Sequence, residues 1–413
     1  MKSILSLLLC LTTSLFAEDI SFENALQRFS THNIELSILE KEQAKASADL
    51  VTAHNRPNPV LSASMQYLKP KTVSDLQDTI ATIHLDHPIE LGKKRDHRIQ
   101  NAKDNIVNTQ LQIQEIKREK IADLIDAYYQ VISDQEIVAN AISDYEDFEN
   151  LLKISQSKFE HGFMTALDLQ RLKLTAIEYK NNLNSSQTTL QSDKEVLAFM
   201  LSMQAKNIQT TPLKAQEPLL TNLEELIKYA QEHRTDCLQA QQAIKSAKSF
   251  VELQKANAIP DLTVGVEYEG YGSSYGALLG FSASMPLPVY DQNKGEIEKS
   301  RISLLQAAEQ KNRIFLQTQV DVTQAYLMQQ NQIKILNELQ KGFELAKEIK
   351  EKEEKVFYLK GISILELLDV QKNYREYKSK FTQAKIDLLV STQKLKLQSA
   401  LLAPDQREKT NEI

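Results

Sequence analysis

The sequence predicts a mainly helical protein with a small β part, in which one arrangement of helices and hairpin occurs twice. Gly and Pro number only 10 each among 413 residues and Trp is absent, a composition typical of long polar helices. Two stretches alternate apolar and polar residues with the period of a β-strand. These stretches lie about two hundred residues apart, and a long segment without Gly or Pro follows soon after each. We therefore predict a tandem duplication of helix, β-hairpin, long helix and returning helix.

Residues 1–17 have the features of a signal peptide that is removed after about Ala17. Lys2 supplies the positive charge, residues 4–11 form the apolar core, and a small residue ends the segment. The alternative interpretation of this segment is a short buried helix. Its apolar core is too short to span a bilayer. Cys10 lies inside the core, so we do not expect an acylated N-terminus. Cleavage would leave Cys237 alone, which excludes an intrachain disulfide.

Residues 18–209 form the first predicted repeat. Ser21 is a candidate N-cap for a helix that continues to about Ala53, and the prolines within 56–59 end it. A β-hairpin follows at about 59–88, with one apolar face. The next segment has no Gly or Pro until Gly162, which predicts a helix of about 60 residues. A second helix returns over about 166–203.

Residues 222–403 repeat this order after a proline-containing linker at 210–221. We expect a helix to about 256, a hairpin at about 260–288, a long helix over 295–357 and a returning helix over 364–402. The dipeptide at 325–326 repeats the Ala127–Tyr128 pair at the same place in the two long helices. The polar segment 404–413 is expected to be a disordered tail.

Two hairpins supply only four strands, which is a marginal sheet with exposed edges. The sequence leaves two classes open for such an exported protein. One is a soluble periplasmic or secreted coiled-coil structural protein. The other is a protein inserted in a membrane as a closed barrel of strands.

Several strings of residues resemble the TolC family of outer-membrane efflux channels, and the likeness covers essentially the whole mature chain. They occupy residues 88–95 (PIELGKKR), 286–296 (PLPVYDQNKGE) and 358–371 (YLKGISILELLDVQ), with a weaker counterpart at 159–168 (FEHGFMTALD). The first two look most like the heavy-metal branch, which includes the outer-membrane components of cobalt–zinc–cadmium efflux pumps.

This resemblance implies a homotrimer in which four strands per chain complete one 12-stranded barrel in outer-membrane lipid. The long helices would form a periplasmic α-barrel, and the loops at 69–78 and 270–276 would face outside. The implied function is a passive conduit in the outer membrane of a Gram-negative bacterium. Its expected partners are a periplasmic adaptor and an inner-membrane pump of the resistance-nodulation-division type.

The resemblance also implies roles for residues at the helix-to-helix turns. Glu366 and Asp369 share one helix face, and acidic residues at this place in the family form a cation-selective ring at the periplasmic mouth. Asp168 is their counterpart in the first repeat. The spacing from Gly361 differs from the family by one residue, and the plain alternative is an exposed acidic pair. The turns themselves are expected to meet the adaptor: Gly162, Phe163, Gly361, Ile362 and Ser363.

The sequence predicts no enzyme, no cofactor, no metal site and no nucleic-acid binding. It has no nucleophile–base set and no phosphate loop, and its net charge is −6 without a basic stripe. His84, Asp86 and His87 are the nearest approach to a metal-ligand cluster. In a strand the first two share a face and His87 points away, so we expect no convergence.

Overall fold

The computed structural model describes residues 19–67, 79–211, 218–219, 221–271, 276–358 and 363–402. The chain is mainly helical. Its elements, in order, are β1 (Asp19–Ile20), α1 (Phe22–His32), α2 (Ile34–His54), β2 (Val60–Tyr67), β3 (Thr79–Ile89), α3 (Lys94–Glu160), α4 (Ala166–Leu201), β4 (Gln209–Thr210), α5 (Leu223–His233), α6 (Thr235–Asn257), β5 (Leu262–Tyr271), β6 (Ala277–Ser284), α7 (Lys294–Tyr358) and α8 (Ile364–Gln398). The predicted signal peptide, the tail 404–413, Gly361 and Ile362 lie outside the described residues.

The helix expected from Ser21 to Ala53 is in fact two helices. Ser21 caps α1 as predicted, because its hydroxyl oxygen accepts from the Asn24 N–H at 3.2 Å. The chain then becomes extended at Asn33, whose side-chain oxygen accepts from the Leu36 N–H at 3.1 Å and caps α2. The second repeat breaks in the same way at Arg234, between α5 and α6. Neither break has a Gly or Pro to signal it.

The chain divides into two compact units, and each draws on both repeats. The helical unit contains the described residues of 1–37, 116–234 and 318–413, and the sheet unit contains those of 38–115 and 235–317. The long helices α3 and α7 each contribute residues to both units. None of the described helices combines the length and the hydropathy needed to cross a lipid bilayer.

One part of the core of the helical unit lies between the long helices and the short N-terminal helix of each repeat. Leu226 and Ala230 of α5 pack on Val322 of α7 and Leu395 of α8. In the first repeat the hydroxyl of the buried Tyr128 donates to the carbonyl of Ile20 at 2.8 Å. This bond ties the long helix α3 to β1, which forms a short parallel pair with β4.

The sheet unit contains one antiparallel sheet of four strands in the order β2-β3-β5-β6. The central pairing of β3 with β5 joins the hairpin of the first repeat to that of the second, with Ile83 opposite Tyr268. Within the described residues, β2 and β6 each have a neighbouring strand on one side only. The sheet therefore ends in two strand edges whose backbone groups are available for pairing.

Candidate functional site

One face of the sheet is apolar and exposed. The register aligns Leu61, Leu85, Val266 and Phe281 in one row across all four strands. The next row on the same face has Ala63, Ile83, Tyr268 and Leu279. These large side chains are exposed, and Phe281 reaches 83%. A contiguous exposed apolar face of this kind indicates contact with lipid or with another protein surface.

The opposite face of the sheet is mostly polar and includes three carboxylates. It carries His84, Asp86, Glu267 and Glu269, which alternate along the strands with the apolar rows. The Nε2 atom of His84 lies 3.3 Å from the Oε1 atom of Glu267, so the first repeat pairs with the second. The sequence does not indicate this partner, because strand order cannot be read from either hairpin alone. No group of three or more potential metal ligands is found among the described residues.

The string at 88–95 forms ion pairs at the junction between the sheet and the long helix α3. The Nζ atom of Lys94 lies 2.6 Å from Asp261 Oδ1, and Arg98 Nη1 lies 2.6 Å from Glu90 Oε1. Arg98 also donates to the backbone carbonyls of Ala53 and Asn55. Because Asp261 belongs to the second repeat, the string fixes the first long helix to the neighbouring hairpin.

The turn between α3 and α4 is a complete glycine C-cap. Gly162 has a φ of +75°, and the N–H of Phe163 donates to the Lys158 carbonyl at 2.8 Å. Phe163 is exposed. Thr165 then caps α4, since its hydroxyl oxygen accepts from the Asp168 N–H at 3.1 Å. The turn is thus rigidly defined while its phenylalanine side chain faces outward, which suits a docking role.

The candidate gate carboxylates also take part in helix capping. The Oδ2 atom of Asp168 accepts from the Thr165 hydroxyl at 2.7 Å, and Glu366 Oε2 accepts from the Ser363 N–H at 2.7 Å. Glu366 and Ser363 form a reciprocal capping box at the start of α8. Asp369 is exposed and accepts from the Asn373 side chain at 3.3 Å.

The caps settle the register between the two repeats. Thr165 and Ser363 are both N-caps, so Asp168 corresponds to Glu366. Arg171 and Asp369 lie the same number of residues after these N-caps, so they also correspond. The Nη1 atom of Arg171 lies 3.4 Å from Asp168 Oδ1. The first repeat therefore carries a carboxylate with a cation beside it where the second carries two carboxylates.

A surface cavity brings the predicted residues of the first turn together with the second repeat. The cavity measures about 390 Å³, and its lining includes Phe163, Thr165 and Asp168. Phe357 of α7 and Ile364 of α8 line it as well. The Nζ atom of Lys158 lies 4.5 Å from the centroid of the Phe357 ring and adds a cation–π contact between the repeats.

A second cavity, of about 270 Å³, lies among α3, α4, α7 and α8 and is lined by charged and aromatic side chains. The guanidinium of Arg375 stacks over the Tyr179 ring at 4.2 Å, and Lys350 Nζ lies 4.6 Å from the Tyr374 ring centroid. Burial raises the pKa of Asp144, and the charges of Lys378, Arg375 and Lys350 oppose that rise. Burial lowers the pKa of Arg375. The cluster binds α8 to α3 and α4 through opposite charges.

Comparison with known proteins favours the efflux-channel class over the coiled-coil class. Residues 25–202 match the family model described as outer membrane efflux protein. The matched residues lie within the first repeat, which is therefore similar to outer membrane efflux proteins. The resemblance to the TolC family is thereby confirmed.

Relatives of this efflux family also match beyond the first repeat. The cobalt-zinc-cadmium resistance protein CzcC of Cupriavidus metallidurans is 21% identical over 321 residues, which are 77% of this chain and 74% of that protein. The crystal structure of CusC aligns with a TM-score of 0.76 and 12% identity over 91% of each chain. The outer membrane protein VceC from Vibrio cholerae aligns with a TM-score of 0.72 and 13% identity, over 90% of this chain and 95% of that chain. The predicted fold class is confirmed.

Proposed function

We propose that three copies of this chain form an outer-membrane channel that serves as the passive exit duct of a tripartite efflux system. The observation that carries the proposal is the four-stranded sheet with two open edges and one exposed apolar face. Pairing β6 of one copy with β2 of the next would satisfy both edges. Three copies would close a barrel of twelve strands, with the apolar rows toward lipid and His84, Glu267 and Glu269 toward the lumen.

The energy for export would come from an inner-membrane pump of the resistance-nodulation-division type, reached through a periplasmic adaptor. The duct itself needs no energy source, since it only lets cargo through. The exposed Phe163 and the rigid Gly162 turn support an adaptor-docking role for the helix turns. We extend that role to Gly361, Ile362 and Ser363 by the repeat relationship.

We further propose that the cargo is a heavy-metal cation. The 21% identity to a cobalt-zinc-cadmium resistance protein supports this choice. The acidic side chains on the polar face of the sheet and at the start of α4 and α8 favour cations over anions along such a duct.

A deletion strain tests the cargo. We expect loss of the gene to sensitise the host to cobalt, zinc or cadmium salts, and we expect the wild-type gene to restore resistance. A panel of dyes and antibiotics should leave the deletion strain unaffected. Sensitivity to the drugs alone would reassign the cargo to organic compounds and leave the channel proposal intact.

Membrane fractionation tests the channel proposal. The protein should sediment with outer membranes, require detergent for extraction and run as a trimer. Release by a salt wash as a monomer would instead support the soluble coiled-coil class.

A further inference from the structure

The helices α3 and α4 pack antiparallel, and one aromatic contact fixes their register. The rings of Phe148 and Tyr179 stack with centroids 4.6 Å apart and planes 20° apart. Two heptads toward the start of α3 lies Asp134, and two heptads toward the end of α4 lies Asp193. A heptad step returns to the same helix face, so these two aspartates face each other across the contact.

Asp134 is buried with an oxygen that no group among the described residues satisfies. The residue is 3% exposed, and its Oδ1 atom accepts from the Gln130 amide at 3.1 Å. Its Oδ2 atom has no hydrogen-bond partner within the part of the chain that the structure describes. A buried carboxylate oxygen left in this state is costly while the group is charged.

Asp134 forms no ion pair with a cation among the described residues. From α8, Gln383 accepts from the neighbouring Ser133, and Asp387 accepts in turn from Gln383. From α4 the facing group is Asp193, with Lys194 next to it in sequence. Burial, and next the Asp193 carboxyl, raise the pKa of Asp134 to about 6, against the opposing hydrogen bond from Gln130.

The corresponding positions of the second repeat carry no acids. A constant offset in residue number relates Tyr128 to Tyr326 and Thr165 to Ser363. By this offset Gln332 corresponds to Asp134. The same offset places Ser391 at the position of Asp193. Packing of the long helix on the returning helix therefore does not require two carboxyl groups. The acidic pair is particular to the first repeat.

We propose that Asp134 and Asp193 share one proton across the α3–α4 contact, and that loss of this proton loosens α4 from α3. With the proton present, one carboxyl donates a charge-assisted hydrogen bond to the other. Without it, two carboxylates repel each other in a poorly solvated contact. Because the folded-state pKa of Asp134 lies above its ordinary value, the stabilisation exists in acid and is lost as pH rises through about 6.

The helix α4 is built to respond to such a change. Its buried residues form two groups at its ends, Leu169 and Leu172 at the start and Leu197, Ala198 and Leu201 at the finish. Asp193 borders the long middle segment between them, in which no residue is buried. The start of α4 carries Asp168, so the pair controls how firmly the helix that bears the candidate gate carboxylate is held.

Hydrogen exchange of the full-length trimer in detergent tests the proposal. Protection factors for amides 182–196, corrected for the intrinsic pH dependence of exchange, should fall about tenfold between pH 5 and pH 7.5. Asp134→Asn should abolish this fall, because it removes the buried carboxyl, and Asp193→Asn should reduce it, because burial alone still raises the pKa of Asp134. Glu195→Gln, at an exposed carboxylate on the same helix, should behave as wild type.

Infrared spectra give a direct readout of the proton. Wild-type protein should show a protonated-carboxyl band that disappears as pH rises through about 6. Asp134→Asn should lack this band, and in Asp193→Asn the band should disappear at a lower pH. A wild type without that band, or an Asp134→Asn protein that retains the pH-dependent fall in protection, would overturn the proposal. If Asp134→Asn fails to fold, the lower midpoint of the band in Asp193→Asn tests the proposal, and an unchanged midpoint would overturn it. Gln332→Asp combined with Ser391→Asp should install a second pH-dependent contact between α7 and α8.

Discussion

Asp168 and Glu366 each take part in helix capping. A substitution that tests the effect of their charge must therefore preserve the capping interaction. Alanine at either position would remove a helix-capping interaction, at a cost of about 1 kcal/mol. Asparagine and glutamine keep a side-chain oxygen that can accept from Thr165 or from the Ser363 N–H. Amide substitutions therefore separate the effect of charge from the effect of folding.

We predict that Asp168→Asn, Glu366→Gln and Asp369→Asn together reduce the cation preference of the channel about twofold or more. The variant would remove three charges from each of three chains at one narrow place. Reversal potentials of single channels in planar bilayers under a salt gradient measure the preference. Arg171→Gln should change it in the opposite direction, because the cation beside Asp168 is lost.

Glu376→Gln is the matched control for these variants. Glu376 is an exposed carboxylate farther along α8 that pairs with Lys380 at 2.6 Å. Its replacement should leave the reversal potential unchanged. A triple gate variant that forms normal trimers and keeps the wild-type reversal potential would show that the three residues are merely caps and surface charges.

Among the helices, the contact of α7 with α8 depends on one glycine. A Cβ atom built at Gly342 would lie 2.6 Å from Cε1 of Tyr377, whereas one built at Gly295 would have no neighbour within 4 Å. In an unhindered helix, alanine stabilises by about 0.5–1 kcal/mol relative to glycine. Overpacking costs about 1–3 kcal/mol. At Gly342 the gain in helix stability is opposed by overpacking, whereas at Gly295 only the gain applies.

We therefore predict that Gly342→Ala lowers the free energy of unfolding by about 1 kcal/mol, while Gly295→Ala leaves it unchanged or raises it slightly. Chemical denaturation of the purified protein measures both. Combining Gly342→Ala with Tyr377→Ser should recover the loss, because the opposing ring is gone. A stabilised Gly342→Ala single variant would mean that the ring moves aside freely.

The sequence predicts the strand faces well because a period of two decides them. Leu61, Ile83 and Phe281 all lie on the apolar face that their alternation indicates. The helix breaks at Asn33 and Arg234 do not follow from the helical periodicity, because both residues are held by contacts distant in sequence. Arg234 for example is buried and its Nη2 atom lies 2.8 Å from Asp321 Oδ2, a residue far away in sequence.

The candidate site likewise combines features that local sequence predicts with features that depend on tertiary contacts. The caps at Thr165 and Ser363 follow from local sequence, and they give the correspondence between the repeats that glycine spacing left open. The pairing of His84 with Glu267 depends on which strands become neighbours. The opposition of Asp134 and Asp193 depends on helix register. Neither relationship can be obtained from a single segment.

In the proposed trimer, the two faces of the sheet contact different environments. Phe281 and Ser282 are consecutive residues of β6 that lie on opposite faces, and both are exposed in the single chain. In a closed barrel the first would contact lipid and the second the aqueous lumen. In a soluble coiled-coil protein neither position would contact lipid, so a charge at one should resemble a charge at the other.

We predict that Phe281→Arg abolishes accumulation of trimers in the outer membrane, whereas Ser282→Arg preserves them. An arginine facing the middle of a bilayer costs about 2–4 kcal/mol, less near the interfaces, and three copies would insert together. An arginine at 282 would lie across Gly265 from Asp86, where the charges attract and the lumen is wet. Membrane fractionation and trimer bands on gels measure assembly, and planar-bilayer recordings should show a smaller conductance for Ser282→Arg. Equal accumulation of both variants would mean that the apolar rows do not face lipid.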